Sequence, residues 1–370
     1  MVSQELKPPL AGIKIADFSR VLAGPYATML LADLGAQVVK IERLGIGDDT
    51  RGWGPPFDKN AISTYFLSVN RNKEGLTLDL SKESDQRKAQ ELISSCDVVV
   101  ENFGSGGMEK FNLGYSKLVA TNPKLIYCSI TGFGTSDLAA SLPGYDLLVQ
   151  GMSGLMSITG SDSDNPTKVG VALVDVITGL HAVVGILAAL RARDEQGFGQ
   201  KVELNLLSST LSALVNQASS YISADIIPKA MGNAHPSIAP YQVFSASDKK
   251  FIVAVGNDHQ FVKFAGQIAP ALLSEKKFTT NQLRVENQAE LTKLLSAVFT
   301  QNTAHHWINT LRKVNIPAGA INDIKEAFDL AQSLGLEPVV EIDGTKSVAN
   351  PISFSKTPVQ YRSAPPKLQE

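Results

Sequence analysis

Cysteine is scarce: Cys96 and Cys128 are the only two in 370 residues. Two thiols build no disulfide framework, and their separation fits no zinc-type spacing. Each lies beside an apolar run and reads as a reduced core residue, which fits a reducing compartment. A charge excess is missing too. With 34 basic and 36 acidic residues the net charge is −2, so no bulk field argues for nucleic acid or a membrane surface. No run of about 18 apolar residues suggests a membrane span. Met1–Pro9 has neither the apolar core of a signal peptide nor the Arg-rich character of a transit peptide. Several motifs are absent as well. The turn after the first apolar run lacks G-x-G-x-x-G, which disfavours a nicotinamide or flavin site. There is no Walker-type loop, no G-x-S-x-G elbow, and no histidine pair at metal-ligand spacing. What remains is a globular composition, 44 % hydrophobic and 19 % charged, in a chain long enough for two domains.

The first third alternates short apolar runs with helical patterns. Ile13–Phe18 reads as a parallel strand, Ser19–Gly24 as a turn, and Pro25 suits the first helical position before Tyr26–Leu34. Gln37–Ile41, Gly75–Asp79, Asp97–Glu101 and Leu125–Ile130 follow as strands, with a polar-faced helix over Ser84–Ser95. This alternation predicts an α/β fold with a doubly wound, mostly parallel sheet. Asn102–Gly107 is a glycine-rich turn, open to either simple turn chemistry or a phosphate or adenosine contact. Arg43, Arg71, Lys73 and Lys110 fall near predicted strand ends or turns, where together they suit a phosphorylated ligand. Past about Ser223 the composition shifts to a Pro-rich loop, Gly232–Gln242, then a hairpin and several helices, a smaller α+β segment. Val339–Ile342 and a hairpin near Gly344 return the chain to the first domain.

The stretch Val169–Gly199 organises the rest. An apolar run passes one acid, Asp175, and becomes a long helix dotted with Thr178, Gly179, Ala182 and Gly185, small enough for close approach to a neighbour. It ends in Arg191, Arg193 and Gly197, a helix C-terminus signal. Asp175 therefore sits near a helix N-terminus, where the dipole and unpaired N–H groups stabilise a carboxylate. Two readings stay open: a helix cap, or a desolvated carboxylate able to act as a nucleophile. His181 in the same helix reads as a core residue.

Ordered motifs carry a resemblance. Leu22-Ala-Gly-Pro25, Val39-Lys-Ile-Glu-Arg43, Gly47–Pro56, Asn70-Arg-Asn-Lys73, Val100-Glu-Asn-Phe-Gly104, Ser129–Gly134, Gly144-Tyr-Asp146, Gly170–Asp175 and Gly232-Asn-Ala-His-Pro236 occur in sequence. In this the chain resembles family III CoA-transferases, and within them the succinate–hydroxymethylglutarate type through Trp53–Phe57, Ser237–Gln242 and Thr280–Val285. The resemblance implies a large Rossmann-like domain over 1–224, a small domain over 225–330 and a return segment over 331–370. It also implies ring-shaped subunits in an interlocked homodimer. It makes Asp175 the catalytic nucleophile, forming an aspartyl-CoA thioester, with CoA and acyl-CoA as substrates and no tightly bound cofactor or metal. Contacts to CoA carry over onto Leu22, Ala23, Arg43, Asn70, Arg71, Asn72, Lys73, Asn102, Phe103, Gly104, Lys110, Thr131, Gly132, Phe133 and Gly134. Arg51 or Arg71 would pair with the distal carboxylate of a dicarboxylyl donor such as succinyl-CoA, Tyr145 would face the substrate, and the loop from Gly232 to His235 would cover the intermediate. Glutarate or hydroxymethylglutarate is the expected acceptor, in the cytoplasm or the mitochondrial matrix. Leu22 stands where oxalate-specific members carry glutamine, which argues against oxalate. The α-methylacyl-CoA racemases share the fold but place a histidine where this chain has Tyr145, a phenol poorly suited to proton exchange at neutral pH. A non-catalytic CoA-binding relative is the other alternative.

Overall fold

The structure is a computed structural model and describes residues 6–369; part of the N-terminal stretch read above, and Glu370, lie outside the described residues. The chain divides into two compact units, the first of residues 1–156, 168–227 and 337–370, the second of 157–167 and 228–336. Residues 157–167, which nothing in the sequence set apart, thus belong with the second unit.

In the first unit the elements run β1 (Lys14–Asp17), α1 (Ala23–Asp33), β2 (Gln37–Arg43), α2 (Thr64–Ser68), β3 (Lys73–Leu78), α3 (Glu83–Ser94), β4 (Val98–Glu101), α4 (Tyr115–Thr121) and β5 (Ile126–Thr131). They continue through α5 (Asp137–Ala140), α6 (Asp146–Met152), α7 (Leu173–Gln196), β6 (Lys201–Asn205), α8 (Leu206–Ala213) and α9 (Val215–Ala224). The six strands form one sheet in the order β3-β2-β1-β4-β5-β6, every pairing parallel. The near-continuous apolar runs Val98-Val-Val100 and Ile126–Ile130 are buried from both faces, as parallel strands require.

α7 packs on α1 through a stripe of small residues. A Cβ added at Gly179 would lie 2.7 Å from the Ala23 carbonyl oxygen, so only glycine allows this approach. Contrary to the expectation that no such segment exists, α7 is long and apolar enough by length and composition to cross a membrane. Here it is an element of the first unit, with Thr178, Ala182 and Ile186 buried and Leu180 and Val184 exposed.

The second unit holds β7 (Tyr241–Ser245), β8 (Lys250–Ala254), α10 (Asp258–Ile268), α11 (Asn281–Glu286), α12 (Gln288–Phe299), α13 (Ala304–Lys313), β9 (Ala318–Ala320) and α14 (Ile324–Ser333). Its three strands are antiparallel, and its core gathers Phe244, Phe251, Phe264, Phe299 and Trp307. A final hairpin, β10 (Val339–Ile342) and β11 (Thr345–Val348), returns to the first unit.

Candidate active site

Strand order reverses between β1 and β4, and in an open α/β sheet the ligand crevice lies outside the carboxyl ends of the strands at that point. A cavity of about 260 Å³ is found there. The turns after β1 (Arg20–Ala23), β4 (Asn102–Ser105) and β5 (Thr131, Gly132, Gly134) line it, together with Leu142–Asp146 and Asp175.

The turn after β1 is held from two sides. The Asn102 side chain accepts the Arg20 N–H at 2.8 Å and donates to the Arg20 carbonyl at 2.7 Å. Val21, a β-branched residue with φ of 69°, has its N–H directed at both oxygens of Asp48, each at 3.3 Å. A β-branched residue in that region is strained, so a fixed partner is needed. Asp48 is itself buried and paired with Lys40 at 2.9 Å. Lys40 also donates to the Ser19 carbonyl. Deeper still, Lys73 pairs with Asp17 at 3.0 Å and donates to Asn70 and to the Pro25 carbonyl. Burial alone would raise Asp17, but Lys73 and Lys40, with Ser19 and Thr28, hold it below the ordinary carboxylate range. Burial brings Lys73 down to about 8.

Asp175 lies in the first turn of α7, three residues past the N-cap position, Ala172, which offers no side-chain cap. Asp146 does the capping instead: its Oδ2 accepts the Val174 N–H at 2.9 Å and the Asp175 N–H at 3.3 Å. This removes the reading of Asp175 as a cap. The pKa also moves opposite to the direction a helix N-terminus alone implies. Burial first, and the Asp146 charge second, push the Asp175 carboxyl up to about 7. The helix dipole, worth about 0.3–1 kcal/mol at a terminus, is too small to offset desolvation. Near neutral pH the carboxyl is therefore close to half ionised. Asp146 reaches its place because the turn after β5 and the loop before α6 touch backbone to backbone: a Cβ on Gly132 would lie 2.5 Å from the Gly144 Cα.

Of the residues read from sequence, Leu22, Ala23, Asn102, Phe103, Gly104, Thr131, Gly132, Gly134, Tyr145 and Asp175 share this cavity. Phe133 turns away and packs with Val149, Val174 and Leu206. Arg43, with Arg20, Leu80, Phe103 and Phe111, lines an adjoining cavity of about 300 Å³. Lys110 is exposed on the short 3₁₀ turn Glu109–Phe111 and lines neither.

The segment from Asn70 to Lys73 lies inside the first unit. All four residues are buried and committed internally. The Arg71 guanidinium grips Asp33 through Nε at 3.0 Å and Nη2 at 2.6 Å, and donates to Ser347 and to the Val348 carbonyl. The Asn72 amide bridges Asp33 and the Gln360 carbonyl. These groups tie the final segment of the chain to α1, and none of the four is among the described residues that line the cavity beside Asp175. Arg51 is likewise occupied, bidentate on Glu42 at 2.7 Å for both bonds and stacked 3.8 Å over the Phe66 ring. Gly232 and His235 belong to the second unit, where Gly232 donates to the Gly160 carbonyl at 3.0 Å and the His235 Nδ1 accepts the Ser237 N–H.

Sequence reasoning missed Arg20, Asp49 and Asp146. Arg20 lies between the strand run and the Leu22–Pro25 motif, and Asp146 was read only as the end of Gly144-Tyr-Asp146. A turn following β1 and an acid opening a short helix were available signals for both. Tyr65 was missed too: burial first, then the charges of Asp175 and Asp146, push its phenol up to about 12, so it stays protonated beside them.

Comparison with known proteins gives the family and the fold. The family described as CoA-transferase family III matches residues 10–370. The mouse protein named succinyl-CoA:glutarate CoA-transferase is 42 % identical over 97 % of this chain and 84 % of its own length. A protein of Agrobacterium fabrum named succinate–glutarate CoA-transferase is 40 % identical over 98 % of this chain and 94 % of its own. The crystal structure of a CAIB/BAIF family protein from Brucella suis superposes with a TM-score of 0.88 at 41 % identity, covering 98 % of this chain and 97 % of that one.

Proposed function

The chain belongs to CoA-transferase family III and is a transferase, and from that premise we propose that it moves CoA from succinyl-CoA to glutarate or a similar dicarboxylate through Asp175. The observation that carries the reading is Asp175 itself: a carboxyl in a switch-point cavity, desolvated and facing a second acid, with a pKa brought to about 7. Desolvation weakens solvation of the anion and makes it a better nucleophile, and its ionised fraction at neutral pH stays substantial.

An Asp175 Oδ attacks the thioester carbonyl, the C–S bond breaks, and an acyl-aspartyl anhydride and CoA thiolate form. The thiolate attacks the Asp175 carbonyl, releasing succinate and leaving aspartyl-CoA thioester. The acceptor carboxylate attacks that thioester and expels the thiolate, giving a second anhydride. Attack of the thiolate on the acceptor's acyl carbon yields the new acyl-CoA and frees Asp175. No net proton moves, so the site needs no general acid. The N–H groups and carbonyls of the turns after β1, β4 and β5 hold the pantetheine arm, and the adjoining cavity of Arg43, Phe103 and Phe111 receives the nucleotide end, its guanidinium meeting phosphate. Lys110 adds positive charge nearby in sequence.

The reading keeps the interlocked homodimer that the resemblance implies. Exposed Leu180 and Val184 on α7, with Leu147, Met152 and Val215, support burial against a second copy. It keeps also a cytoplasmic or matrix location, where acyl-CoA is available.

Incubation with succinyl-CoA and glutarate, followed by chromatography of the CoA esters, tests the proposal. Glutaryl-CoA formed in step with loss of succinyl-CoA is the expected result. Turnover confined to monocarboxylate acceptors and donors would overturn the substrate class.

A further inference from the structure

The cavity beside Asp175 is lined by three carboxylates, Asp49, Asp146 and Asp175, and by one cationic side chain, Arg20. A dicarboxylyl thioester brings one more negative charge among them. Its distal carboxylate needs a cation, and the two arginines suggested by sequence are spent on Glu42 and Asp33. Arg20 is placed differently. Its guanidinium lies 5.2 Å from the centre of the Phe103 ring, and Nη1 holds Asp49 at 3.2 Å. The Nε is buried, and among the described residues it has no hydrogen-bond partner. A buried donor without a partner is unfavourable, and such atoms in folded proteins call for an explanation. Together Nε and Nη2 form the edge that grips a carboxylate with two parallel bonds. Asp49, itself 40 % exposed, and the Phe103 ring lie against the guanidinium, and a ligand carboxylate gains the Nε edge by displacing what now covers it.

We propose that Arg20 reads the distal carboxylate of a dicarboxylyl group whose thioester carbon faces Asp175. The inference rests on the transferase reading above and adds the residue that selects two-headed acids over one-headed ones. A CoA phosphate offers the same oxyanion chemistry, and Arg20 also lines the adjoining cavity with Arg43; the test therefore separates the two sources.

Binding is measured by calorimetry in the Asp175→Asn background, where no covalent step follows, with succinyl-CoA, butyryl-CoA and free CoA as probes. Arg20→Gln, and Arg20→Lys as a variant that keeps the charge but lacks the fork, are compared with the Arg20 protein. Thermal melts establish that each is folded. The expected result is a loss of roughly 10- to 100-fold in succinyl-CoA affinity with Arg20→Gln, as for a charge-assisted hydrogen-bond pair. Arg20→Lys lies in between, and butyryl-CoA and CoA change less than about threefold. An equal loss for all three probes assigns Arg20 to a phosphate and overturns the proposal, and so does an unchanged succinyl-CoA affinity. Absence of wild-type turnover with succinyl-CoA and glutarate would strike the transferase reading alone, since the affinity ratios need no turnover.

Discussion

Beneath the candidate site the first unit buries Asp17, Lys40, Asp48 and Lys73, each 2 % exposed or less; the second unit buries Phe244, Phe251, Phe264, Phe299 and Trp307, each 6 % exposed or less. The aromatic core of the second unit is directional through ring geometry, as in the edge-on pair Phe251–Phe299 at 5.0 Å, and through the Trp307 N–H donated to the Phe299 carbonyl; at its margin buried Arg284 donates to the Ala239 and Phe278 carbonyls and pairs with Asp258. It gains stability from apolar burial. The ionic cluster of the first unit gains little of that kind, although apolar residues such as Ile15, Val98 and Ile126 supply it elsewhere in that unit. Buried ion pairs roughly break even against apolar residues of equal volume, so their presence points to a task other than stability. That task is legible in the bonds: Asp48 to the Val21 N–H, Lys40 to the Ser19 carbonyl, Lys73 to the Pro25 carbonyl. The charges pin the backbone that lines the cavity.

The sharpest way to break this contrast is at Asp175. Asp175→Asn should lower transfer by at least about 10³-fold, as for removal of a nucleophile, while the fold persists. Its stability effect has a sign. The folded pKa of about 7 stands above the unfolded value, so wild-type stability falls as pH rises from the ordinary carboxylate range through about 7. The variant lacks this fall, and its advantage in denaturant melts should grow across that window and level off above it. A flat difference would refute the raised pKa.

Next in size are the two cores themselves. Lys73→Met leaves Asp17 buried without its nearest cation and should cost about 3–5 kcal/mol, accompanied by weaker CoA binding in the molecules that stay folded. Phe299→Ala should cost a similar 3–5 kcal/mol, yet leave CoA affinity per folded molecule unchanged. Chemical melts combined with CoA titration check both. Equal effects on CoA affinity would erase the distinction between the cores.

The smallest effect concerns Asp146. Transfer should rise with pH through about 7 as Asp175 ionises. Asp146→Asn keeps an oxygen for the α7 N–H groups but removes the like charge, and the midpoint should move to lower pH. Because burial is the larger cause, it should not return to the ordinary carboxylate range. A pH–rate series on both proteins reads this directly.

Much of the fold could be read because its elements are locally encoded. The runs Ile13–Phe18, Asp97–Glu101 and Leu125–Ile130 fall on β1, β4 and β5, and the small-residue stripe around Gly179 marks where α7 meets α1. Asp175 was legible for the same reason, as a lone acid opening an apolar helix. The cationic residues were not. A motif shows that Asn70-Arg-Asn-Lys73 matters, but only long-range pairing shows that it matters as structure: Arg71 meets Asp33 and Ser347, far away in the chain. The partners that decide whether an arginine is free or spent are tertiary, and Arg20 and Arg51 look alike until those partners are placed. The rise in the Asp175 pKa escaped for a related reason, since the helix position was visible and the burial and the facing Asp146 were not.

The most direct test of the account is the intact mass of the protein after mixing with succinyl-CoA in the absence of acceptor, on the wild type and on Asp175→Asn. The account predicts a CoA-sized adduct on the wild type that disappears on addition of glutarate, and none on the variant. An adduct of equal yield on Asp175→Asn, or transfer by a wild type that never carries CoA, would contradict it.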